Sequence, residues 1–223
     1  MHQDCDKSND TARSHLAREW ELFQAVETGT ADCLWYIWES PRPVVVLGRN
    51  SPIDDHVIVE ACRDDGVAVL RRFSGGGAVL LGPGCLNYAI ALSLISHPWL
   101  ADVASSFHAI LGQIVGSMRV PGLSIAGGSD LALHGWKVSG NAQRRGRFAL
   151  IQHGTLLYGF DSGLATRYLK EPERQPEYRA RRPHAEFIGH LPLPPEKITA
   201  NLQAALDVIR LEPQQLRPRL TYA

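Results

Sequence analysis

The chain lacks several features that would settle its class at once. Its 223 residues include four cysteines, Cys5, Cys33, Cys62 and Cys85, and no two stand at C-x-x-C spacing. That excludes a zinc cage, a dithiol redox pair and a disulfide-stapled scaffold, and it predicts reduced thiols in a cytoplasm. No stretch approaches the ~20 apolar residues that cross a bilayer, and no basic run precedes an apolar one at the N-terminus, so neither a membrane span nor a secretory leader is expected. Charge of one sign is missing too: 23 basic and 23 acidic residues cancel. No whole-molecule field draws the protein to nucleic acid or an anionic membrane, and a charged partner has to be met by a local patch. There is no internal repeat, no low-complexity linker, no phosphate loop ending in G-K-[ST] and no G-x-G-x-x-G.

What is present is material for a sizeable core, since 44% of residues are hydrophobic. Residues 11–28 space Leu16, Trp20, Phe23 and Val26 at helical intervals, with Thr11 as a candidate cap. Segments 34–40, 43–48, 67–72, 78–82 and 86–94 are rich in β-branched and aromatic residues and read as strands. A helix is predicted over 101–119, strands over 130–133, 135–140 and 148–158, and helices over 164–170 and 195–210. The proline-rich HLPLPPEK (190–197) reads as a connection to the last helix. The order predicts an α+β or mixed α/β fold, a sheet with helices packed on it.

Two stretches carry chemistry. RRFSGGGAVL (71–80) sets Gly75, Gly76 and Gly77 beside Arg71, Arg72 and Ser74. Three glycines in a row lose much backbone entropy on ordering. Their use is to let a ligand approach the backbone, with the arginines and the serine as donors to a carboxylate or phosphate. In GWKVSGNAQRRGRFALIQHGTLLYGFD (135–161), Lys137 and Ser139 alternate on a short strand and are expected on one face, with Gly140 allowing close approach. His153 lies among apolar residues, the usual place of a hydrogen-bonded core histidine.

Taken together these segments resemble the lipoate-protein ligase and octanoyltransferase family, related to the biotin-protein ligase catalytic domain. R-R-x-S-G-G-G-[AT]-V is intact over 71–79, and G-x-x-x-Y spans Gly84 to Tyr88. K-[VI]-[SA]-G-[SN]-A spans Lys137 to Ala142, and H-G-[ST]-[LI]-L spans His153 to Leu157. The resemblance covers about residues 34–161 of what reads as one catalytic domain over 1–223. It implies a central mixed, largely antiparallel sheet packed with helices. It also implies an acyl and adenylate pocket formed by Arg72, Ser74, Gly75, Gly76, Gly77, Val79, Asp130, Ser139, Gly140, Ala142, His153, Gly154 and Thr155, with Lys137 catalytic. On this reading ligand binding, not packing, offsets the entropy of the glycines.

The family implies two chemistries. A ligase joins lipoate to a lysine of a lipoyl acceptor domain, of the 2-oxoacid dehydrogenase E2 or glycine cleavage H protein type, through an acyl-adenylate that needs ATP and Mg2+. An octanoyltransferase takes octanoate from acyl carrier protein, commonly through a cysteine, and here Cys85 in GPGCLNY is the thiol placed to serve. A non-catalytic lipoate-binding member is a third reading. AGGSDLAL (126–133) resembles the ligases' G-R-N-D-L-x-[VL] in Gly127, Asp130 and Leu131, but has Gly128 and Ser129 for Arg and Asn. Leu81 replaces a histidine common in G-A-V-x-H. The two-domain ligases carry a further C-terminal domain; the expectation here is a catalytic domain alone, with that further domain supplied by a separate chain, or dispensable, or its lack marking something other than a full ligase. Finally, residues 167–182 hold six basic and three acidic side chains, a patch expected to face an acidic acceptor.

Overall fold

A computed structural model of the chain describes residues 3–211. Helix α1 (Gln3–Glu27) is followed by β1 (Cys33–Glu39), β2 (Val44–Leu47), α2 (Ile53–His56), α3 (Val59–Asp64), β3 (Ala68–Arg71), β4 (Ala78–Leu81) and β5 (Cys85–Ser93). Then come α4 (Val103–Met118), β6 (Leu123–Ala126), β7 (Asp130–Leu133), β8 (Trp136–Arg145), β9 (Ala149–Leu157), α5 (Ser162–Tyr168), α6 (His184–Phe187) and α7 (Pro195–Leu211). The expected single sheet resolves into two. Six strands in the order β1-β5-β9-β8-β7-β6 pair antiparallel throughout, and a smaller sheet has the order β3-β2-β4. In the smaller sheet β2 runs parallel to β3 and antiparallel to β4. The parallel pair needs a crossover, which α2 and α3 provide.

Strand β5 explains how the layers stack. All nine of its residues are buried, so it shows no alternation of polarity. Leu86, Tyr88, Ile90 and Leu92 join the cluster made with α4 and α7, while Ala89 and Ala91 join Leu22, Phe23 and Val26 of α1. Small residues on that second face let α1 lie close against the sheet. The helix is tied down at its far end by Glu27, whose carboxylate accepts from the amides of Arg147 (2.8 Å), Phe148 (3.0 Å) and Ala149 (2.7 Å) in the β8–β9 turn. Thr11 lies inside α1 and is not its cap, because the helix begins upstream.

The elements missed by periodicity are short. α2, α3, α6 and β6 have four to six residues each, too few to display a period. β7 and β8 are joined by His134 and Gly135, both at positive φ (51° and 82°), the two-residue turn whose twist suits a hairpin. The proline-rich stretch does lead into α7, and Leu191 donates its amide to Leu157 of β9 at 2.7 Å.

Gly84 precedes β5 at φ +81°, and a Cβ there would lie 2.3 Å from the backbone carbon of Gly159. Gly84→Ala is expected to lower stability by about 1–3 kcal/mol through overpacking against backbone that has no rotamer to yield. The urea midpoint should fall with its slope unchanged.

Candidate active site

The paired arginines at the end of β3 diverge and clamp two loops. Arg71 Nη1 donates to the carbonyls of Gly48 (2.6 Å), Arg49 (3.1 Å) and Ser51 (2.9 Å). Arg72 donates to Ser74 Oγ (3.1 Å) and to the carbonyls of Val46 (3.1 Å), Gly75 (2.7 Å) and Gly77 (3.2 Å). The guanidinium of Arg72 is buried, and that desolvation lowers its pKa to about 10 against the opposing pull of Glu19, so it stays charged at neutral pH. Its donors are therefore engaged by its own loop, where the sequence predicted donors for a ligand. The glycines serve the same clamp. A Cβ on Gly48 would sit 1.8 Å from the carbonyl oxygen of Gly76, and Gly76 has φ +92°. Close packing of two backbones accounts for Gly48 and Gly76, contrary to the expectation that binding alone would.

A second network crosses from α1 to this loop. Glu19, 2% exposed, accepts from Trp38 Nε1 at 2.9 Å and lies 2.7 Å from His153 Nδ1. His153 Nε2 lies 2.5 Å from Ser74 Oγ, which also accepts from Arg72. Glu19 was not singled out in the sequence. Its signal was there: position 19 falls on the apolar face with Leu16, Phe23 and Val26.

Lys137 opens the other network. Its Nζ is 2.8 Å from Asp130 Oδ1, and Tyr178 donates to Asp130 Oδ2 at 2.8 Å. A bulge between Leu131 and Ala132 changes the β7–β8 register: Ala132 pairs with Lys137, but Leu131 pairs with Ser139 and Asp130 with Gly140. The extra residue moves Ser139 off the face of Lys137, correcting the simple alternation. Gly140 takes the place beside the lysine, where a Cβ would lie 3.1 Å from Nζ. Asn141 is held by Tyr88, whose hydroxyl donates to Oδ1 at 2.6 Å, and itself donates to Ser129 O at 2.8 Å and Ser139 Oγ at 3.0 Å.

Both networks border one cavity of about 680 Å³. Of the residues predicted from sequence, Arg72, Gly76, Gly77, Val79, Asp130, Lys137, Gly140, Ala142, His153, Gly154 and Thr155 line it. Ser74, Gly75, Ser139 and Cys85 stand outside its lining. Leu16, Trp38, Val46 and Leu80 give one side of the lining apolar surface, into which Glu19, Arg72 and His153 are set; Lys137, Asp130, Lys170 and Arg174 give the other side its charge, beside Phe187 and Ile188. The Cys85 thiol is fully buried, and burial pushes it up to about 12, so it is protonated at neutral pH and packs as a small hydrophobe. The basic segment is largely spent internally. Arg179 is buried in a pair with Glu171, Arg167 donates to Asp65 at 2.9 Å, and Arg182 donates to Gly135 O at 2.7 Å.

Comparison with known proteins places this geometry. The model of the lipoyl protein ligase A/B catalytic domain matches residues 11–191. Lipoate-protein ligase LplJ of Bacillus subtilis is 29% identical over 157 residues, which is 68% of this chain and 44% of that protein. The chain thus spans less than half of that relative's length. In structure, the bi-partite lipoate protein ligase of Thermoplasma acidophilum, studied with its E2 lipoyl domain, superposes with TM-score 0.74 at 19% identity, over 88% of this chain and 78% of that one. A lipoate-protein ligase A bound with ATP superposes with TM-score 0.70 at 19% identity, over 86% and 78%.

Two outcomes are expected. Glu19→Ala leaves the indole N–H of Trp38 and Nδ1 of His153 without their buried partner, costing about 1–3 kcal/mol for each group in thermal or urea unfolding. For Cys85 the folded-state pKa is raised above its ordinary value near 9, so its contribution is full below pH 9 and is lost as pH rises towards 12. Urea midpoints followed from pH 8 upward should fall less steeply in Cys85→Ala than in the parent.

Proposed function

The chain belongs to the lipoyl protein ligase A/B catalytic domain family, and on that premise we propose that it is a lipoate-protein ligase acting as one catalytic domain over residues 1–223. It activates lipoate or octanoate with ATP to an acyl-adenylate and passes the acyl group to a lysine of a lipoyl acceptor domain. The observation that carries this reading is the polarity of the cavity, an apolar slot under α1 continuous with a cationic end around Lys137. A medium-chain acid has a complementary shape, an apolar tail ending in a carboxylate that must meet a phosphate.

In the first step a carboxylate oxygen bonds to the α-phosphorus and the bond to pyrophosphate breaks. Negative charge grows on the phosphoryl oxygens, and an ammonium fixed beside them stabilises it. Lys137 is fixed in this way: Asp130 holds its Nζ, Tyr178 holds Asp130, and Gly140 leaves room for it. In the second step the acceptor amine bonds to the acyl carbon, AMP leaves, and the amine gives up a proton. Lys170 and Arg174 add positive charge for the polyphosphate.

Among the described residues no cluster of three His, Cys, Asp or Glu could cage a metal by itself. Asp130 is the carboxylate at the polar end. That fits magnesium, which takes one or two carboxylates together with substrate phosphates. Bound there, it would neutralise charge on the phosphates and the leaving group.

The cysteine-dependent transferase reading gains no support from Cys33, Cys62 or Cys85, since none of them lines the cavity. The Thermoplasma relative is described as bi-partite and paired with an E2 lipoyl domain. We extend both features to this chain, a separate accessory chain and an acceptor of that type. No helix among the described residues is long and apolar enough to cross a membrane.

The test is the intact mass of a lipoyl acceptor domain after incubation with lipoate and Mg-ATP, against octanoyl-acyl carrier protein without ATP. A lipoyl gain that needs ATP is expected. A gain from the octanoyl carrier alone would overturn the ligase reading. Lys137→Ala should reduce acyl-adenylate formation about 10²–10³-fold while leaving the unfolding midpoint near that of the parent.

A further inference from the structure

The apolar end of the main cavity is not closed by the body of the protein. Behind it lies a second cavity of about 300 Å³, between α1 and the β3 end of the small sheet. Two side chains border both spaces, Leu16 and Arg72. Arg72 cannot move aside, because hydrogen bonds to Val46 O, Gly75 O, Gly77 O and Ser74 Oγ fix its guanidinium. Leu16 packs against the apolar cluster that includes Trp38 and Val46. The second cavity offers the apolar surfaces of Ala17, Trp20, Leu70 and Phe73, with Arg13 and Arg71 as the rest of its lining.

The distance along the site points the same way. The Nζ of Lys137 lies beside Gly140 of β8, and His153 pairs with Ala142, two residues further along that strand. At ~3.3 Å per residue the ammonium and His153 are roughly 7 Å apart along the strand, a span that a medium-chain acid crosses. An acid whose carboxylate lies towards Lys137 therefore sends its far end past His153 and Glu19 to the next inward residue of α1, one turn back, which is Leu16. We propose that Leu16 is the chain-length stop of this site: its side chain divides the two cavities, and trimming it opens the second to the tail of a longer saturated acid. This deepens the acyl-ligase reading and rests on it for the direction in which the acid lies.

The physical basis is that each methylene denied or granted an apolar place changes affinity by about tenfold or more. In the parent protein the methylenes of dodecanoate beyond the eighth carbon meet Leu16 and have no room. In Leu16→Ala they enter the space lined by Ala17, Trp20, Leu70 and Phe73. Ala17 is exposed on α1, so a larger side chain can be placed there without repacking the core.

The experiment is calorimetric titration of octanoate and of dodecanoate into the full chain, read as the ratio of the two affinities, with acyl-adenylate formation from the same acids and Mg-ATP measured alongside. The parent should prefer octanoate. Leu16→Ala should raise the dodecanoate-to-octanoate ratio at least about tenfold. Adding Ala17→Phe, which fills the second cavity from outside, should bring the ratio back down. If Leu16→Ala does not fold, Leu16→Val makes the same test with a smaller opening.

A parent that binds both acids equally, or a folded Leu16 variant with an unchanged ratio, overturns the proposal. A parent that binds neither acid overturns it together with the ligase reading. Selective octanoate binding that shifts in the variant, with no adenylate formed by either protein, removes the ligase reading and leaves the stop standing.

Discussion

A carboxylate taken out of water has to be paired, and the burial of Glu19 imposes that condition on three parts of the molecule at once. Its oxygens reach Trp38 on β1 and His153 on β9, and through His153 they reach Ser74 and the arginine clamp of the glycine loop. None of these groups can shift alone without leaving a polar atom unsatisfied inside the protein, a penalty that exceeds the net value of an ordinary hydrogen bond. The wall of the cavity under α1 is thereby fixed by polar interactions among residues that line it, Glu19, Trp38, Arg72 and His153, with Ser74 behind them. Ala89 and Ala91 on β5 make this possible, because only a close approach of α1 to the sheet lets Glu19 reach β9.

The cationic end is built on a different principle. Lys137 is partly open to solvent above a buried Asp130, so their attraction is screened on one side, whereas both side-chain partners of Glu19, Trp38 and His153, are buried with it. In the proposed acyl activation, a site that admits and releases a polyphosphate would benefit from that difference. The pairing keeps the ammonium in place, and phosphoryl oxygens entering in that reaction would compete with the carboxylate for it.

How much of this was legible in the sequence depended on scale. Helices α4 and α7 have enough residues to show their period, whereas β1 to β5, three of them only four residues long, stood out by their apolar, β-branched and aromatic composition. β6, whose four residues LSIA include a serine, and the short helices of four to six residues offered neither signal. The glycine and lysine motifs located the site, yet two of its details needed coordinates. The bulge beside Ala132 inverts the face of Ser139 without leaving any mark in composition. The use of Arg72 as a clamp depends on carbonyls of residues 46, 75 and 77, which no side-chain pattern reports. The basic segment shows the reverse error: its net charge was read correctly, but Arg179 pairs with Glu171 inside the segment, while Arg167 and Arg182 reach Asp65 and Gly135 elsewhere in the chain.

That the arginine clamp belongs to the protein and not to the ligand changes what the glycines mean. A loop held only by substrate would have to order at each turnover, and the conformational entropy of three glycines would weaken binding every time. With Arg72 satisfying the carbonyls of Gly75 and Gly77, and Gly48 packed on Gly76, that cost is met during folding. The remaining backbone of Gly76 and Gly77 then faces the cavity already ordered. The arginines, the glycines and Ser74 thus act as one unit whose purpose is to present a bare stretch of main chain at a fixed position between Leu16 and Lys137. An acid bound in the cavity would gain affinity from this preorganisation without forming a direct contact to the guanidinium.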